Sequence, residues 1–331
     1  MPLVRTMPDL IRGRYAPSPT GDLHLGNLRT AQLAWLFARC TGGQFVLRVE
    51  DLDRPRVRPG ATERMLYDLR WLGLDWDEGP DIGGPYAPYT QSERQEIYVA
   101  HLQRLQAAGH IYPCYCTRAE IASAASAPHE DEGPRYPGTC RNLTASQRRQ
   151  HEANHRHPSL RFRVDDNRTV SFTDLLLGAQ QQHVQQAIGD FIVRRSDGIF
   201  AYQFAVVVDD ALMHLTQVVR GADLLQSTAR QILLYEALGF PLPTFAHVPL
   251  VLDKHGKRLS KRLQSEGLEP LRTTGATAAQ VVGQLAADCG LIETGTSLAA
   301  KELARHYQEN RYDKLRSILA NNTTSFNPPQ T

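Results

Sequence analysis

Arg14-Tyr15-Ala16-Pro17-Ser18-Pro19-Thr20-Gly21-Asp22-Leu23-His24-Leu25-Gly26-Asn27 reads as the end of a strand, a Pro/Gly loop and the start of a helix. Ile11–Tyr15 supplies the strand. From Asn27 to about Arg39 a helical spacing puts Leu28, Ala31, Trp35 and Leu36 on one face, and Thr41-Gly42-Gly43 stops it. A junction of this kind aims backbone N–H groups and the helix dipole at an anion. His24 can donate to a phosphate oxygen, and Gly26 leaves room for a nucleotide where a Cβ would clash. Alone, His-x-Gly-Asn is a weak signal that any loop histidine satisfies. Far along the chain stands a cationic loop, Gly256-Lys257-Arg258-Leu259-Ser260-Lys261-Arg262. Lys261 is its candidate clamp for the negative charge that gathers on a leaving pyrophosphate. Two such loops can grip a triphosphate from opposite sides.

Outward from the first loop, strand and helix alternate. Gln44 to Glu50 turns Phe45, Leu47 and Val49 inward as a strand. Pro59-Gly60 opens a helix through Met65, Leu66, Leu69 and Leu72. Ser92-Glu93-Arg94-Gln95 has the form of a capping box for another, which Gly109 ends, and His110-Ile111-Tyr112 is a further strand. The rhythm predicts an α/β fold, a parallel sheet with helices on both faces. It breaks between Cys114 and Gln186, where the chain is polar and rich in Arg and His, with a loop over Ala122–Glu132. It resumes with a hairpin of Phe191–Arg195 and Ile199–Tyr202 around Ser196-Asp197-Gly198, and core residues at Ala205–Val208. Thr216–Arg220 is a strand, Ser227 caps a helix that Gly239 ends, and Thr277 caps another. One or two more helices lie between Ser297 and Leu319, and Asn321–Thr331 reads as a frayed tail. The expected organisation is therefore 1–113 and 190–262 as the halves of one nucleotide-binding domain, 114–189 as an insertion, and 263–331 as a short helical region.

With 37 Lys and Arg against 35 Asp and Glu, the net charge of +2 does not by itself imply a polyanionic partner. The distribution says more: Arg135 to Arg168 is dense in Arg and His, a pattern that suits phosphate backbone or simply a solvated surface. No long apolar run is present and Met1–Leu10 lacks the core of a secretory signal, so a soluble, cytoplasmic protein with no membrane partner is expected.

Of five cysteines, Cys40 and Cys289 fall in helical patterns as small apolar residues. Cys114, Cys116 and Cys140 cluster, which in a cytosolic chain favours a metal over a disulfide. Three thiolates leave one tetrahedral position on Zn²⁺. Tyr136 is an unusual candidate for it; His129 or another histidine is the conventional one.

Five blocks in order carry a family resemblance. Arg14–Gly21 with His24-x-Gly26-Asn27 resembles the entry strand, loop and first signature of glutamyl-tRNA synthetases, which are class I aminoacyl-tRNA synthetases. Val49-Glu50-Asp51-Leu52-Asp53 resembles their next strand end. Ser196-Asp197-Gly198 with Tyr202–Asp210 resembles their central hairpin and strand, and Val219–Leu224 the strand that follows. Arg258-Leu259-Ser260-Lys261-Arg262 resembles their second signature. The blocks span roughly residues 11 to 262 and imply a Rossmann-type catalytic domain with an insertion. Two departures stand out: Asn27 where many members have His, which removes a protonatable group, and Arg258-Leu259 where Lys-Met is commoner.

The resemblance implies roles that make chemical sense. Arg14 and Arg220 suit the carboxylates of glutamate, Glu50 its ammonium group, and Tyr202 adds a hydroxyl. Tyr15, Ala16, Pro17 and Ser18 would contribute backbone and hydroxyl contacts. A plain Arg14–Glu50 salt bridge is the structural alternative. His24, Gly26, Asn27 and Lys261 would serve ATP and its Mg²⁺.

Cys-x-Cys followed by Tyr-x-x-x-Cys is in addition similar to the pattern of the glutamyl-queuosine tRNA(Asp) synthetases, truncated paralogues in which the tyrosine is the fourth ligand of a structural Zn²⁺. The short stretch after Arg262, against a typical domain of about 100–150 residues, agrees with that branch. Its members activate glutamate without tRNA and pass it to the cyclopentene ring of queuosine in the tRNA(Asp) anticodon. The implied substrates are L-glutamate, ATP and queuosine-containing tRNA(Asp), and the chain is expected to act as a monomer. The alternatives are a short enzyme charging a tRNA 3′ end, a nucleotidyltransferase sharing the His-x-Gly loop, and an inactive tRNA-binding relative.

Overall fold

The structure, a computed structural model, describes residues 10–124, 135–249, 267–308 and 312–323. The second signature with Lys261, the alternative ligand His129, most of the Ala122–Glu132 loop and the end of the tail lie outside the described residues. The first part of the chain runs β1 (Arg12–Tyr15), α1 (Leu25–Arg39), β2 (Gln44–Leu47), α2 (Ala61–Trp71), α3 (Gln95–Ala107), β3 (Ile111–Cys114) and α4 (Arg118–Ala124). The middle runs α5 (Ala145–Ala153), β4 (Ser159–Phe162), β5 (Thr169–Asp174), β6 (Gly178–His183), α6 (Val184–Ala187) and β7 (Phe191–Arg194). There follow α7 (Tyr202–Leu212), β8 (Gln217–Gly221), α8 (Thr228–Leu238) and β9 (Thr244–Val248), then α9 (Leu268–Thr273), α10 (Ala278–Ala287), α11 (Ala300–His306) and α12 (Tyr312–Thr323).

Parallel pairing builds the heart of the fold. β1 pairs with β2 from Arg12 opposite Gln44 to Tyr15 opposite Leu47. β8 pairs with β9 in parallel, with Arg220 opposite His247. The two pairs meet where Thr216 N donates to Arg12 O at 3.0 Å and Arg12 N to Thr216 Oγ1 at 2.9 Å. Successive strand residues face opposite ways, and the cores follow that rule. Val219, Ala246 and Val248 join one buried cluster with α1, α10 and α11, while Val218 and Phe245 join another with α3, α7 and α8. Helices thus cover both faces. Gly43 is needed for closure between α1 and β2: a Cβ there would sit 2.1 Å from Ile11 O.

The polar middle segment is less separate than its composition suggests. β4 lies between β3 and β7 in an antiparallel sheet, and the β5–β6 hairpin extends the β9–β8 pair through Asp174 opposite Phe245.

Several sequence expectations change. The Phe191–Tyr202 hairpin reduces to one bridge, Arg194 with Phe200, and the apolar stretch after it is the helix α7 rather than a strand. A short all-apolar run carries no period, so pattern cannot separate a buried strand from a buried helix. Ser92 makes no capping box. Its N–H and Oγ both donate to Asp51, and α3 begins at Gln95 without a side-chain cap. Ser227 adjoins α8, but its hydroxyl accepts from Gln203 and Arg230 instead of capping. The inward strand at Gln44–Glu50 is regular only to Leu47, and Val46 is as buried as its neighbours. Asn321 to Thr323, expected to fray, belong to α12, and the rest of the expected tail lies outside the described residues.

Thr277 does cap its helix as the sequence suggests, and the cap is a full box: its hydroxyl accepts from Gln280 N at 3.3 Å while Gln280 Oε1 accepts from Thr277 N at 2.8 Å. Thr277→Ala should therefore lower unfolding free energy by about 1 kcal/mol. Urea titration checks this, and no shift in midpoint would mean that water replaces the cap without loss.

Candidate active site

The C-terminal ends of β1 and β8 and the N-terminus of α7 enclose a buried charged cluster. Past β1 the chain stays pinned to the β2 side: Arg48 N donates to Tyr15 O and Glu50 N to Pro17 O, each at 3.0 Å. These bonds hold Tyr15, Ala16 and Pro17 at the strand end, with Ser18 exposed at the lip. Burial pushes the Tyr15 hydroxyl's pKa upward. Arg14 is buried; its NH1 donates to Val219 O at 3.0 Å and its Nε lies 3.6 Å from Asp210 Oδ1. Glu50 accepts from Arg48 NH2 at 3.0 Å. Arg14 and Glu50 do not pair with each other: Arg14 pairs with Asp210 and Glu50 with Arg48.

Arg48 has no exposed surface and bridges three carboxylates: Glu50 at 3.0 Å, Asp210 at 2.7 Å and Asp209 at 3.6 Å. Asp209 is held in addition by Arg94 Nε at 2.7 Å, Gln91 at 2.8 Å and the Tyr98 hydroxyl at 2.9 Å. These residues were not among the sequence candidates. The signal for them was a charge inside an apolar run, Arg48 within Phe45–Val49 and Asp209-Asp210 after Phe204–Val208, because a charge buried in a core requires a partner.

Tyr202 opens α7 and Arg220 lies near the end of β8. Burial raises the Tyr202 pKa first and the charge of Glu50 second, while Arg220 and Arg14 oppose the shift. Burial lowers that of Arg220, with the like charge of Arg14 adding to it. Burial likewise raises the Glu50 carboxyl, against the pull of Arg48 and Arg14. The charges of Glu50, Arg220 and Arg14 all act on Tyr202, so the four residues lie near one another, Tyr202 half-buried and the other three buried.

Arg220 is held rigidly. Nε donates to His247 Nε2 at 3.0 Å, NH1 to Gln231 Oε1 at 2.7 Å and NH2 to Thr228 Oγ1 at 2.8 Å. Behind it, His247 Nδ1 is 2.6 Å from Asp174 Oδ2. His247, Thr228, Gln231 and Asp174 were missed, since nothing in the sequence shows which β9 residue will stand beside Arg220.

At the helix entrance, His24 is the N-cap of α1, and its Nδ1 accepts from Asn27 N at 3.2 Å. An accepting Nδ1 in a neutral ring leaves the proton on Nε2, a donor of the kind a phosphate oxygen needs. Gly26 lies in the first turn, its carbonyl accepting from Thr30 Oγ1 at 3.0 Å. Asn27 occupies the same turn, and its backbone N–H serves the cap whichever side chain stands there.

The three cysteines come together. The Sγ atoms of Cys114, Cys116 and Cys140 lie within 4.8 Å of one another, with Cys116 and Cys140 3.5 Å apart. Tyr136 joins them. Its hydroxyl oxygen is 3.3 Å from Cys114 Sγ, 3.9 Å from Cys116 Sγ, and accepts from Cys140 N at 2.7 Å. Tetrahedral Zn²⁺ with Zn–S near 2.3 Å spaces its sulfurs by about 3.8 Å, so the cluster has the size and donor set for that ion. The guanidinium of Arg161 lies 3.8 Å over the Tyr136 ring. Hydrogen bonding from Cys140 is the main reason the Cys114 thiol is pulled down to about 4, and Tyr136 and Arg161 act in the same sense.

Much of the Arg-rich middle segment is matched within the fold: Arg141 with Asp166 at 2.8 Å, Arg156 with Glu120 at 3.0 Å and Arg168 with Glu236 at 2.7 Å. Arg161 is buried and donates to Asp190 O at 2.8 Å. Arg149, His155 and His157 are exposed. Among the described residues no helix is long and apolar enough to cross a membrane.

Residues 10–282 match the family described as tRNA synthetases class I (E and Q), catalytic domain, to which this chain belongs. Within it the chain groups with the glutamyl-Q tRNA(Asp) synthetases and is a ligase of the class I aminoacyl-tRNA synthetase type. The glutamyl-Q tRNA(Asp) synthetase of Symbiobacterium thermophilum is 55% identical over 296 residues, covering 89% of this chain and 91% of its own length. That of Nitratidesulfovibrio vulgaris is 53% identical over 294 residues, covering 88% and 90%. Among solved structures, the glutamate-tRNA synthetase of Elizabethkingia anophelis superposes with a TM-score of 0.79 at 30% identity, over 92% of this chain and 66% of that one.

Proposed function

We propose that this enzyme activates glutamate with ATP and transfers it to the cyclopentene ring of queuosine in the tRNA(Asp) anticodon. In the first step a glutamate carboxylate oxygen bonds the α-phosphorus of ATP and pyrophosphate leaves. In the second, a ring hydroxyl of queuosine displaces AMP from the glutamyl-adenylate. The observation that carries the reading is the convergence of Arg14, Glu50, Tyr202 and Arg220 in one place. Two cations and one carboxylate complement a substrate with two carboxylates and one ammonium group, and the tyrosine hydroxyl adds a directional bond. His24, Gly26 and Asn27 at the N-terminus of α1 are assigned to the phosphates and Lys261 to the pyrophosphate, with Mg²⁺ accompanying ATP. The acceptor follows the glutamyl-Q relatives, whose 53–55% identity exceeds the 42–48% of several glutamate–tRNA ligases. The test compares glutamate transfer to queuosine-containing tRNA(Asp), the same tRNA without queuosine, and tRNA(Glu). Transfer to tRNA(Glu) as an ordinary 3′ ester would overturn the assignment of the acceptor, and absence of glutamate-dependent pyrophosphate exchange would overturn the activation step.

We assign Cys114, Cys116, Cys140 and Tyr136 to one structural Zn²⁺. Bound there, the ion would tie the end of β3 to the segment before α5, a cross-link the small local core cannot replace. Cys116→Ser should reduce zinc from about one per chain to a small fraction of that after dialysis against a chelator. Elemental analysis measures it. Because the ligands bind deprotonated, retention should also fall as pH falls. Undiminished zinc in the variant would remove Cys116 from the ligand set.

A further inference from the structure

We propose that Asp174 and His247 are positioning residues that orient Arg220 for the substrate carboxylate, acting through the tautomer of the histidine. This rests on the reading of Arg220 as a glutamate contact. Arg220 and His247 are partners in the parallel register of β8 and β9, so their side chains leave the sheet on the same face, toward α8 with Thr228 and Gln231.

A guanidinium can only donate. Its Nε–H at 3.0 Å therefore requires Nε2 of His247 to be an acceptor, and the proton of the neutral ring must sit on Nδ1, 2.6 Å from Asp174 Oδ2. Asp174 is itself fixed. Its Oδ1 accepts from Leu176 N and Leu177 N, each at 3.0 Å, and from His247 N at 3.2 Å. The chain of bonds thus runs from the β5–β6 turn through Asp174 and His247 to Arg220. Thr228 closes it, accepting from Arg220 NH2 at 2.8 Å with its hydroxyl 3.2 Å from His247 Nε2. Nε and one N–H on each terminal nitrogen are taken, which fixes the plane of the fork and leaves one N–H on each terminal nitrogen for a carboxylate.

Asp174→Asn gives a sharp test because it keeps the shape and inverts the polarity. Three backbone donors hold the amide oxygen at the Oδ1 position, so the NH₂ faces His247 Nδ1. The ring must then accept at Nδ1 and carry its proton on Nε2, pointing at the Arg220 Nε–H. Two donors oppose each other and the guanidinium moves. Two-bond ¹H–¹⁵N correlation spectra of histidine-labelled protein should show His247 as the Nδ1–H tautomer in the wild type and Nε2–H in Asp174→Asn. In pyrophosphate exchange, the variant's KM for glutamate should rise roughly 10–100-fold, the scale of losing a hydrogen bond to a charged group, with the KM for ATP little changed. Thr228→Val, which removes an acceptor without opening a cavity, should move the same constant in the same direction. A wild-type Nε2–H tautomer, or an unchanged glutamate KM in both variants, would overturn the inference. Wild-type exchange that ignores glutamate would instead overturn the proposed function and leave the tautomer result standing.

Discussion

Arg220→Lys is expected to lower kcat/KM for glutamate in pyrophosphate exchange by roughly 10²–10³-fold, with the loss concentrated in the KM for glutamate. Charge is conserved in this variant and geometry is not. Arg220 makes three directed bonds to three different residues, and their directions fix the plane of the guanidinium. An ammonium group is a compact point charge on a flexible stem, with no fork to match a carboxylate bidentately. Lysine would satisfy at most part of this set and leave His247 Nε2 or Gln231 Oε1, both buried, short of a donor. It would also stand at a different distance from Arg14, whose like charge acts with burial to lower the Arg220 pKa. Steady-state exchange with glutamate and ATP varied separately measures the effect. A lysine variant within about tenfold of wild type would mean that only the charge at this position matters and that the bidentate contact is wrong.

The parts of this site differ in how well the sequence displays them, and the reasons are physical. Arg14 and His24 flank a loop whose Pro and Gly residues fix its conformation locally, so a short stretch shows both the turn and the groups it presents. Cys114, Cys116 and Cys140 stand out because clustered thiols suit a metal, whereas Tyr136 enters only through the family resemblance, since a phenol is not a usual zinc ligand. Arg48 and Asp209 are harder. Their meaning depends on a contact between the residue after β2 and α7 that no local pattern encodes, and α7 is a strand only in the family resemblance, the all-apolar run Phe204–Val208 having no period of its own. His247 is hardest, because its role comes from the β8–β9 register and from Asp174 in a hairpin assigned by composition to the insertion. The capping errors have a common cause. Ser92 and Ser227 can each satisfy a helix end, yet other side chains, the distant Asp51 for one and the distant Gln203 with α8's own Arg230 for the other, compete successfully for the same hydroxyls.

Glu50→Gln should raise the KM for glutamate by about 10²-fold while leaving the protein at neutral pH no less stable than the wild type. Function and stability part here because the ionised carboxylate is costly to the fold. Burial holds the Glu50 pKa above its ordinary value of 4.5, and the charges of Arg48 and Arg14 offset this only in part. Between that value and the raised one, the native state binds more protons than the unfolded state, so Glu50's contribution to stability falls as pH rises. Glutamine resembles the protonated acid and lacks this slope. Arg48 keeps Asp210 at 2.7 Å and Asp209 at 3.6 Å after the change, so no buried cation is stranded. Substrate binding runs the opposite way with pH. An ammonium group needs the ionised carboxylate, so kcat/KM for glutamate in the wild type should fall as pH drops through the raised Glu50 value, which lies above the ordinary carboxylate range. The variant should show a lower and flatter acid limb. Denaturation midpoints across the same pH range supply the second readout. A variant less stable than wild type at neutral pH, with an unchanged glutamate KM, would make Glu50 a structural partner of Arg48 and remove it from the substrate site.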